Sequence, residues 1–357
     1  MDTEGQSTLV KGGGASAKVA YILLVLVLLA FGTYFFLSTR SGSPASVASG
    51  KWCEGVNISF FAGGNQGDSF ASIVYNGAQA AQKDLGATVN YVWSNWDADT
   101  MVNQFESEIA KKPDAIDIMG HPGSDALSPL VDEAERKGII VTVQNVDLPD
   151  IRAEYTANGF GYVGQGLYDS GMMVGNGLVR KFSPQAGEEV IVFGVDPIKD
   201  AGRYDRTRGI IDSLTKAKLN VHVITIPTDV DADVTIPAAE KMFDDALTQY
   251  PNAKFVVTDH GALTGVAPSF LQKLGKKPGD VILAGFDLSA STVAGIQSGY
   301  IGLIQDQQPY LQGYLPILQS CLTKKYGFAG LYIDTGVGLI DNSNVGFVAD
   351  LAKQKIR

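Results

Sequence analysis

Histidine and cysteine are both scarce in this chain. Of its 357 residues three are histidine and two are cysteine, and His121, His222 and His260 are widely separated in the sequence. A zinc site takes several such ligands together, so we expect no metal centre. The motifs Cys-x-x-Cys, His-Glu-x-x-His and Gly-x-Ser-x-Gly are also missing. An enzyme is therefore the least favoured class.

Basic residues are also fewer than acidic ones. The chain has 28 Lys and Arg against 38 Asp and Glu, a net charge of −10. A nucleic-acid partner calls for a basic face, and neither a basic cluster nor a helix-turn-helix pattern is present. The glycine-rich stretch Gly63–Asp68 lacks the Gly-x-Gly-x-x-Gly spacing that cradles a nucleotide phosphate. The sequence thus predicts no nucleic-acid partner and no cofactor.

One apolar run is long enough to concern a membrane. Val19–Leu37 is uncharged and close to the ~20 residues that a bilayer-spanning helix needs. The apolar core of a cleaved signal peptide runs about 7–15 residues, so an uncleaved transmembrane anchor is favoured over that alternative. Residues 1–18 then form an N-terminal tail. Residues 38–54, small and polar over Ser38–Gly50, form a flexible linker.

The rest of the chain alternates short apolar runs with helical patterns, as α/β proteins with parallel sheets do. One helix is predicted over Phe70–Leu85, ending at a C′ glycine, and another begins at Pro309, which suits a first helical position. The predicted strands are Asn57–Ala62, Thr88–Trp93, Ala115–Met119, Gly138–Val143, Glu189–Val195, Asn220–Ile226, Ala253–Thr258, Asp280–Ala284 and Tyr300–Ile304.

The segment Ile301–Tyr314 (IGLIQDQQPYLQGY) is the most informative part of the sequence. It places Gln305, Asp306, Gln307 and Gln308 at the carboxyl end of a buried strand, where open α/β sheets bind ligands. Amides donate and accept hydrogen bonds and a carboxylate accepts them, which suits a small neutral polyol. Because residues two apart in a strand share a face, we expect Gln305 and Gln307 to point together while Asp306 points away.

Within this segment, DQQPYLQGY resembles the last hinge strand and helix of sugar-binding proteins of the ribose-binding type, which have the type I periplasmic binding protein fold. The resemblance covers nearly everything after Asn57, and Gly285-Phe286-Asp287 is its firmest local match. It implies two Rossmann-like α/β lobes with parallel sheets, joined by a three-strand hinge and preceded here by the transmembrane helix. The implied lobes are 55–164 with 308–334, and 165–307 with 335–357.

The resemblance also implies ligand contacts at strand ends and helix starts. Some residues of this chain match such a contact, and others lie beside a matching position or at a strand end. The predicted ligand-binding residues are Asn65, Asp68, Phe70, His121, Asn145, Gln165, Arg206, Arg208, Asp259, Phe286, Asp287 and Gln307. Arginine offers a planar fork of donors that can grip two hydroxyls. Trp96 joins the set because flat aromatic faces stack on the C–H faces of sugar rings.

Some of these residues have a structural alternative. Asp68 equally suits the N-cap of the helix that follows it. Trp96 also fits the rim or the core of a lobe, and Arg208 also fits a cap or salt bridge at a helix start. Asn145 stands where the family has a carboxylate, so its share of hydroxyl contacts stays open.

The function that the resemblance implies is that of a membrane-anchored, extracytoplasmic substrate-binding protein. It would capture a monosaccharide (a pentose, a hexose or a related polyol) by lobe closure and deliver it to an ABC permease. A receptor that senses a sugar or an autoinducer without transport is the alternative. The resemblance also places Cys53 and Cys321 in one lobe, and in an extracytoplasmic protein it implies a disulfide between them.

Overall fold

The computed structural model describes residues 50–198, 201–226 and 236–357, and Lys51–Arg357 form one compact unit. The predicted anchor, the tail and most of the linker lie outside the described residues. Within the described ranges, no helix combines the length and the apolar character that crossing a membrane requires.

Strands and helices alternate along the described chain. The strands are β1 (Asn57–Gly63), β2 (Thr88–Trp93), β3 (Ala115–Met119), β4 (Ile140–Asn145), β5 (Gly161–Gly164), β6 (Glu189–Gly194), β7 (Asn220–Thr225), β8 (Phe255–Thr258), β9 (Ile282–Phe286), β10 (Ile301–Asp306), β11 (Tyr332–Asp334) and β12 (Gly338–Asp341). The helices are α1 (Ser69–Leu85), α2 (Ala98–Lys111), α3 (Ser124–Arg136), α4 (Pro149–Tyr155), α5 (Leu167–Phe182), α6 (Ala201–Lys216), α7 (Ile236–Gln249), α8 (Gly261–Lys273), α9 (Ala290–Gln297), α10 (Pro309–Tyr326) and α11 (Ala349–Lys353).

The strands form two six-stranded sheets, which define two lobes. Sheet A, the centre of lobe 1, has the order β11-β5-β4-β3-β1-β2 and is parallel throughout. Sheet B, the centre of lobe 2, has the order β12-β10-β9-β8-β6-β7, and only β12 runs antiparallel to its neighbour. This α/β architecture of two largely parallel lobes is the predicted fold class.

The chain passes between the lobes three times, and these passages are called the hinge below. It leaves sheet A after β5, returns after β10 into α10, which packs on β3, β4 and β5, and crosses again between β11 and β12. In the third passage a Cβ on Gly336 would lie 2.3 Å from the Cβ of Gln165, so only glycine allows this close approach. We propose that the lobes divide at these passages, where the predicted boundaries lie.

The predicted elements agree closely with the observed ones. Helix α1 ends at Gly86, which has the left-handed φ of 90° expected of a C′ glycine, and Pro309 is the first residue of α10. Strand β10 continues through Asp306, two residues further than predicted. Gln305 and Asp306 are therefore strand residues rather than loop residues.

The disulfide between Cys53 and Cys321 is confirmed, with the two Cα atoms 5.7 Å apart and both residues fully buried. It joins the segment before β1 to α10 in the core of lobe 1. Lys51–Glu54, which the sequence analysis assigned to the linker, thus belong to the compact unit.

Replacing both cysteines with serine should lower the free energy of unfolding by roughly 2–4 kcal/mol, since the crosslink restricts the unfolded chain. The bond spans a sequence separation of 268, which makes this restriction large. Urea unfolding of the double variant and of the oxidised protein measures the difference. Chemically reduced wild type serves as the control and should match the variant. Equal stability of oxidised protein and variant would contradict the prediction.

Candidate functional site

Gln307 joins the two lobes through its side-chain amide. It is 2% exposed and stands in the second hinge passage, between β10 and α10. Its Oε1 accepts hydrogen bonds from Nδ2 of Asn145 (3.2 Å), at the carboxyl end of β4 in lobe 1, and from Nε2 of Gln165 (3.0 Å), which follows β5 in the first hinge passage. Its Nε2 donates to Oδ1 of Asp287 (2.5 Å), which follows β9 in lobe 2. One amide therefore links polar groups of both lobes.

Two residues that the sequence analysis missed support this arrangement. The hydroxyl of Tyr162 lies 2.9 Å from the carbonyl oxygen of Asn145 and 2.7 Å from that of Gln165. Gln312, in the first turn of α10, accepts from Nδ2 of Asn145 (3.0 Å) and donates to the carbonyl oxygen of Gln307 (2.9 Å). Both side chains are fully buried. They hold the backbone and side chains of the cluster in place.

Asn145 and Asp287 both have left-handed backbones, with φ of 66° and 70°. Asn and Asp adopt this conformation more readily than other residues with a side chain. Burial raises the pKa of Asp287, while the nearby charge of Arg206 and the hydrogen bond from Gln307 oppose the rise. The carboxylate is thus held in a poorly hydrated position where it retains acceptor capacity.

Arg206 lies on the lobe-2 side of the cluster and is 3% exposed. Its Nη1 donates to the carbonyl oxygen of Asp259 (3.0 Å), and its guanidinium lies 4.5 Å from the ring centre of Phe286. Nη2 of Arg203 donates to Oδ1 of Asp259 (3.2 Å), and its Nη1 lies 3.1 Å from Nε2 of His260. Burial alone would raise the pKa of Asp259, but Arg206 and Arg203 outweigh burial and lower it. Asp259 and Phe286 therefore position the arginines.

Arg208 is not brought together with the other predicted residues. Its side chain is 48% exposed, donates to Oδ1 of Asp205 (2.9 Å) and stacks over the ring of Tyr168. At 3.6 residues per turn, residues three apart share a helix face, so Arg203 accompanies Arg206 and Arg208 turns away. The surface salt bridge that was the alternative for Arg208 is what the structure contains. Arg203 was missed by the sequence analysis.

An aromatic group from lobe 1 borders the site. The ring of Trp96 contacts those of Phe70 (5.9 Å between centroids) and His121 (5.3 Å), each in a tilted arrangement. Its Nε1 donates to Oδ2 of Asp68 (2.9 Å), whose other oxygen accepts from the first turn of α1. Asp68 therefore caps the helix and also holds the indole. A Cβ on Gly63 would lie 2.5 Å from the indole, so glycine makes room for it.

The remaining predicted residue, Asn65, is exposed and hydrogen-bonds to Asn95 beyond the aromatic group. The pKa of His121 is lowered to about 3, first by burial and then by Arg203 and Arg206. The pKa of His260 is lowered to about 3 by burial and Arg203. Both imidazoles are therefore neutral at physiological pH. Among the residues that the structure describes, no three His, Cys, Asp or Glu side chains are grouped as a metal site.

Several buried polar atoms around this cluster have no hydrogen-bond partner among the described residues. They are Oε1 of Gln165, Nε of Arg206, Nδ1 of His121 and Nδ1 of His260. A buried polar group left unpaired costs about 1–3 kcal/mol. These four atoms, which belong to groups of the cluster or to residues beside it, could hydrogen-bond to a polar ligand.

The hinge side of β10 carries a different set of contacts. Oδ1 of Asp306 accepts from the backbone N–H of Gln308 (2.9 Å), and its Oδ2 accepts from Nη2 of Arg357 (2.7 Å). Gln305 donates to the carbonyl oxygen of Gly336 (2.6 Å) in the third passage. Asp306 thus points away from the cluster around Gln307, as strand alternation predicts, while Gln305 holds the hinge rather than the site.

Comparisons with known proteins agree with this fold. Residues 58–320 match the periplasmic binding protein domain family. The xylose/arabinose-binding protein XylF of Sulfolobus acidocaldarius is 30% identical over 273 residues, which cover 72% of this chain and 64% of that protein. The chain therefore spans less than two thirds of that relative's length.

Among the solved structures that share the fold are two that were determined with a bound polyol or sugar. A carbohydrate transporter protein from Acidothermus cellulolyticus, in complex with myo-inositol, has a TM-score of 0.71 at 24% identity and covers 85% of this chain and 99% of its own. A solute-binding protein of an ABC transporter from Burkholderia graminis, in complex with D-arabinose, has a TM-score of 0.70 at 21% identity, with 82% and 97% covered. Because the family match spans both lobes, the chain belongs to the periplasmic binding protein family.

Proposed function

We propose that this chain binds a monosaccharide or a related polyol between its lobes and delivers it to an ABC permease. The observation that carries the proposal is the amide of Gln307, which pairs with Asn145 of lobe 1, with Gln165 of the first hinge passage and with Asp287 of lobe 2. The relatives named for xylose and arabinose, or solved with myo-inositol and D-arabinose, support a polyhydroxylated ligand.

The chemistry of the cluster suits hydroxyl groups. Each hydroxyl donates one hydrogen bond and accepts others, so it pairs with an amide or bridges a carboxylate and an arginine. In the proposed complex Asp287 accepts from ligand hydroxyls and Arg206 donates through Nε. The apolar C–H face of the sugar stacks on Trp96, while its neighbour Phe70 fixes the indole plane.

Closure follows from contacts on both sides of the hinge. A ligand favours the closed state only if it binds that state more tightly than the open one. A sugar that contacts Asn145 in lobe 1 and Asp287 in lobe 2 satisfies this condition. We propose as ligand contacts Trp96, His121, Asn145, Gln165, Arg203, Arg206, His260, Asp287 and Gln307.

A thermal-shift screen over pentoses, hexoses and polyols tests the proposal. A ligand that binds only the folded protein raises its stability, by about 2.7 kcal/mol at a hundred times Kd. We expect one stereochemical subset to raise Tm and the others to leave it unchanged. A flat profile over all three classes, confirmed by calorimetry, would overturn the proposal.

Two arginines of the same helix provide a matched test of the site. Arg206→Ala should weaken binding of the sugar found in the screen by at least about tenfold, because a charged hydrogen bond is worth about 1.5–3 kcal/mol. Arg208→Ala should leave the affinity unchanged, since its side chain pairs with Asp205 on the surface. Calorimetric titration compares the two variants. A larger loss for Arg208→Ala would place the site on the other face of α6.

We also propose that Val19–Leu37 stays on the mature protein as an anchor, with the lobes outside the cytoplasm. Its 19 uncharged residues exceed the apolar core of a typical signal peptide, which is about 7–15 residues. Intact-mass analysis of the protein from its native membrane should give a chain that still contains this run. A mature chain that begins near Gly50 would show cleavage instead.

A further inference from the structure

Three aromatic side chains form an exposed cluster far from the ligand site. Trp52, Tyr326 and Phe328 are 38%, 62% and 57% exposed. The rings of Trp52 and Tyr326 stack with centroids 5.8 Å apart, and Tyr326 meets Phe328 edge-on at 6.2 Å. Grouped apolar side chains on a protein surface mark interaction sites far more often than scattered ones do. We call these three residues the aromatic patch.

The patch lies at the pole of lobe 1 opposite the ligand site. Trp52 precedes the amino end of β1, whereas the site residues follow the carboxyl ends of the strands. Tyr326 ends α10, roughly 25 Å from Pro309 at the rise of 1.5 Å per residue. The disulfide between Cys53 and Cys321 fixes Trp52 beside this end of the helix. The patch is therefore a fixed surface that ligand binding does not require.

The charges around the patch are mixed, with exposed lysines on both flanks. Lys51 adjoins Trp52 and lies against the end of α1, and Lys325 adjoins Tyr326 and donates from Nζ to the carbonyl oxygen of Glu54 (2.9 Å). Lys324 pairs with Asp114. Tryptophan and tyrosine with neighbouring lysines are the side chains that accumulate at membrane–water interfaces.

We infer that the aromatic patch rests in the headgroup region of the lipid bilayer. The inference depends on the proposed anchoring, because the chain enters the compact unit at Lys51, beside the patch. Only the 13 residues 38–50 separate that point from the end of the apolar run, and a flexible chain of this length spans roughly 20 Å. The pole that carries the patch is thus the part of lobe 1 tethered nearest the membrane. Docking there points the ligand site away from the bilayer, so the patch must leave the headgroup region before the sugar passes to the proposed permease.

Tryptophan fluorescence tests the inference directly. The chain contains three tryptophans, and Trp93 and Trp96 stand at the carboxyl end of β2, remote from the patch. The full chain is reconstituted into vesicles of phosphatidylcholine and phosphatidylglycerol, with or without bromine on the acyl chains. Bromine quenches only indoles close to the acyl chains, so wild type should lose a measurable part of its emission, and that part should come from Trp52. Trp52→Phe should show no bromine-dependent loss.

Variants show whether the aromatic patch binds the bilayer or Trp52 is merely close to it. The double variant Tyr326→Ser/Phe328→Ser keeps Trp52 as the reporter but removes most of the apolar surface, and its quenching should fall to less than half. The matched control Phe347→Ser removes a ring that is 85% exposed on lobe 2, and it should behave as wild type. An unchanged sugar-induced thermal shift in each variant confirms that the lobes are intact.

Vesicle flotation distinguishes a failure of the proposed anchoring from a failure of the inferred docking. A chain that does not float with the vesicles overturns the anchoring, and the inference falls with it. A chain that floats without Trp52-dependent quenching overturns the inference alone and leaves the anchoring standing. Self-association that depends on Trp52, found in sedimentation without quenching, would also overturn it and assign the patch to a second copy of the chain.

Discussion

Replacing Asp287 with asparagine should weaken sugar binding by at least about a hundredfold while leaving the fold intact. A buried carboxylate that accepts two hydroxyl hydrogen bonds contributes about 1.5–3 kcal/mol through each of them. Asparagine loses one of these bonds because its NH2 group replaces an acceptor, and it weakens the other because its remaining oxygen is uncharged. It also tolerates the left-handed backbone at φ 70°. Alanine would add backbone strain to the loss of the carboxylate, so asparagine is the cleaner variant.

The same carboxylate predicts how binding depends on pH. Because the pKa of Asp287 is raised, the group takes up a proton at a higher pH than an ordinary aspartate does. A protonated carboxyl is a weaker acceptor, so affinity should fall as the pH is lowered through that raised pKa. Calorimetry over a pH series should show this fall in wild type and not in Asp287→Asn. The control Asp205→Asn, an exposed aspartate paired with Arg208, should keep the wild-type profile.

An affinity for Asp287→Asn within about threefold of wild type, where a lost charged hydrogen bond predicts far more, would remove this residue from the proposed site. A pH profile in wild type that rises on acidification would likewise contradict the assigned role. Circular dichroism and the melting temperature without sugar show whether the variant is folded. An unfolded variant would be replaced by Gln307→Ala, which removes the partner of the carboxylate on the hinge side.

The strand ends of the site could be predicted because a parallel sheet brings its carboxyl ends to one edge. The sequence places polar residues directly after apolar runs, so Asn145 and Gln165 lie together at the edge of sheet A, and Asp287 and Gln307 at the edge of sheet B. That the two edges face each other is implied only by the family resemblance. Proline at 309 and glycine at 86 mark helix boundaries through their backbone restrictions, and these predictions agree with the structure. The spacing of apolar residues and the positions of proline and glycine are local properties of the chain, so the sequence alone reveals them.

Contacts that depend on helix phase and on packing could not be predicted in the same way. In α6 an error of two residues rotates a side chain by about 200°, which separates Arg208 from the face of Arg203 and Arg206. The roles of Tyr162 and Gln312 arise only when β5 and α10 pack together. Phe286 points into the core of lobe 2 beneath Arg206, a side of the strand that no local pattern specifies.

A buried aspartate far from the site should make the stability of the protein depend strongly on pH. Asp117, in the middle of β3, is fully buried, and its Oδ1 accepts from the hydroxyl of Ser320 in α10 (2.6 Å). Its Oδ2 has no hydrogen-bond partner among the described residues. Burial raises its pKa to about 7, with the bond from Ser320 opposing the rise. The folded protein therefore holds this proton far more tightly than the unfolded chain, whose aspartates have a pKa of about 3.9.

Because the folded state binds the proton more tightly, the contribution of Asp117 to stability should be greatest below pH ~4 and should be lost as the pH rises towards 7. A shift of about three pKa units corresponds to a loss of about 4 kcal/mol over this range. Asp117→Asn cannot ionise, so its free energy of unfolding should lack this decline. Thr142, its register neighbour on β4, lies beside the same Ser320 hydroxyl.

Urea unfolding of wild type and Asp117→Asn between pH ~4 and ~7.5 measures the effect, as the difference between the two free energies of unfolding at each pH. As the pH rises, the free energy of unfolding of the variant should increase by about 4 kcal/mol relative to that of wild type. Any constant effect of the amide on stability is already present at low pH and does not alter this change. The control Asp350→Asn changes a carboxylate that is 87% exposed on α11, and its difference from wild type should stay nearly constant. A constant difference for Asp117→Asn as well would mean that Asp117 is already ionised in the folded protein at low pH, with a partner that satisfies Oδ2.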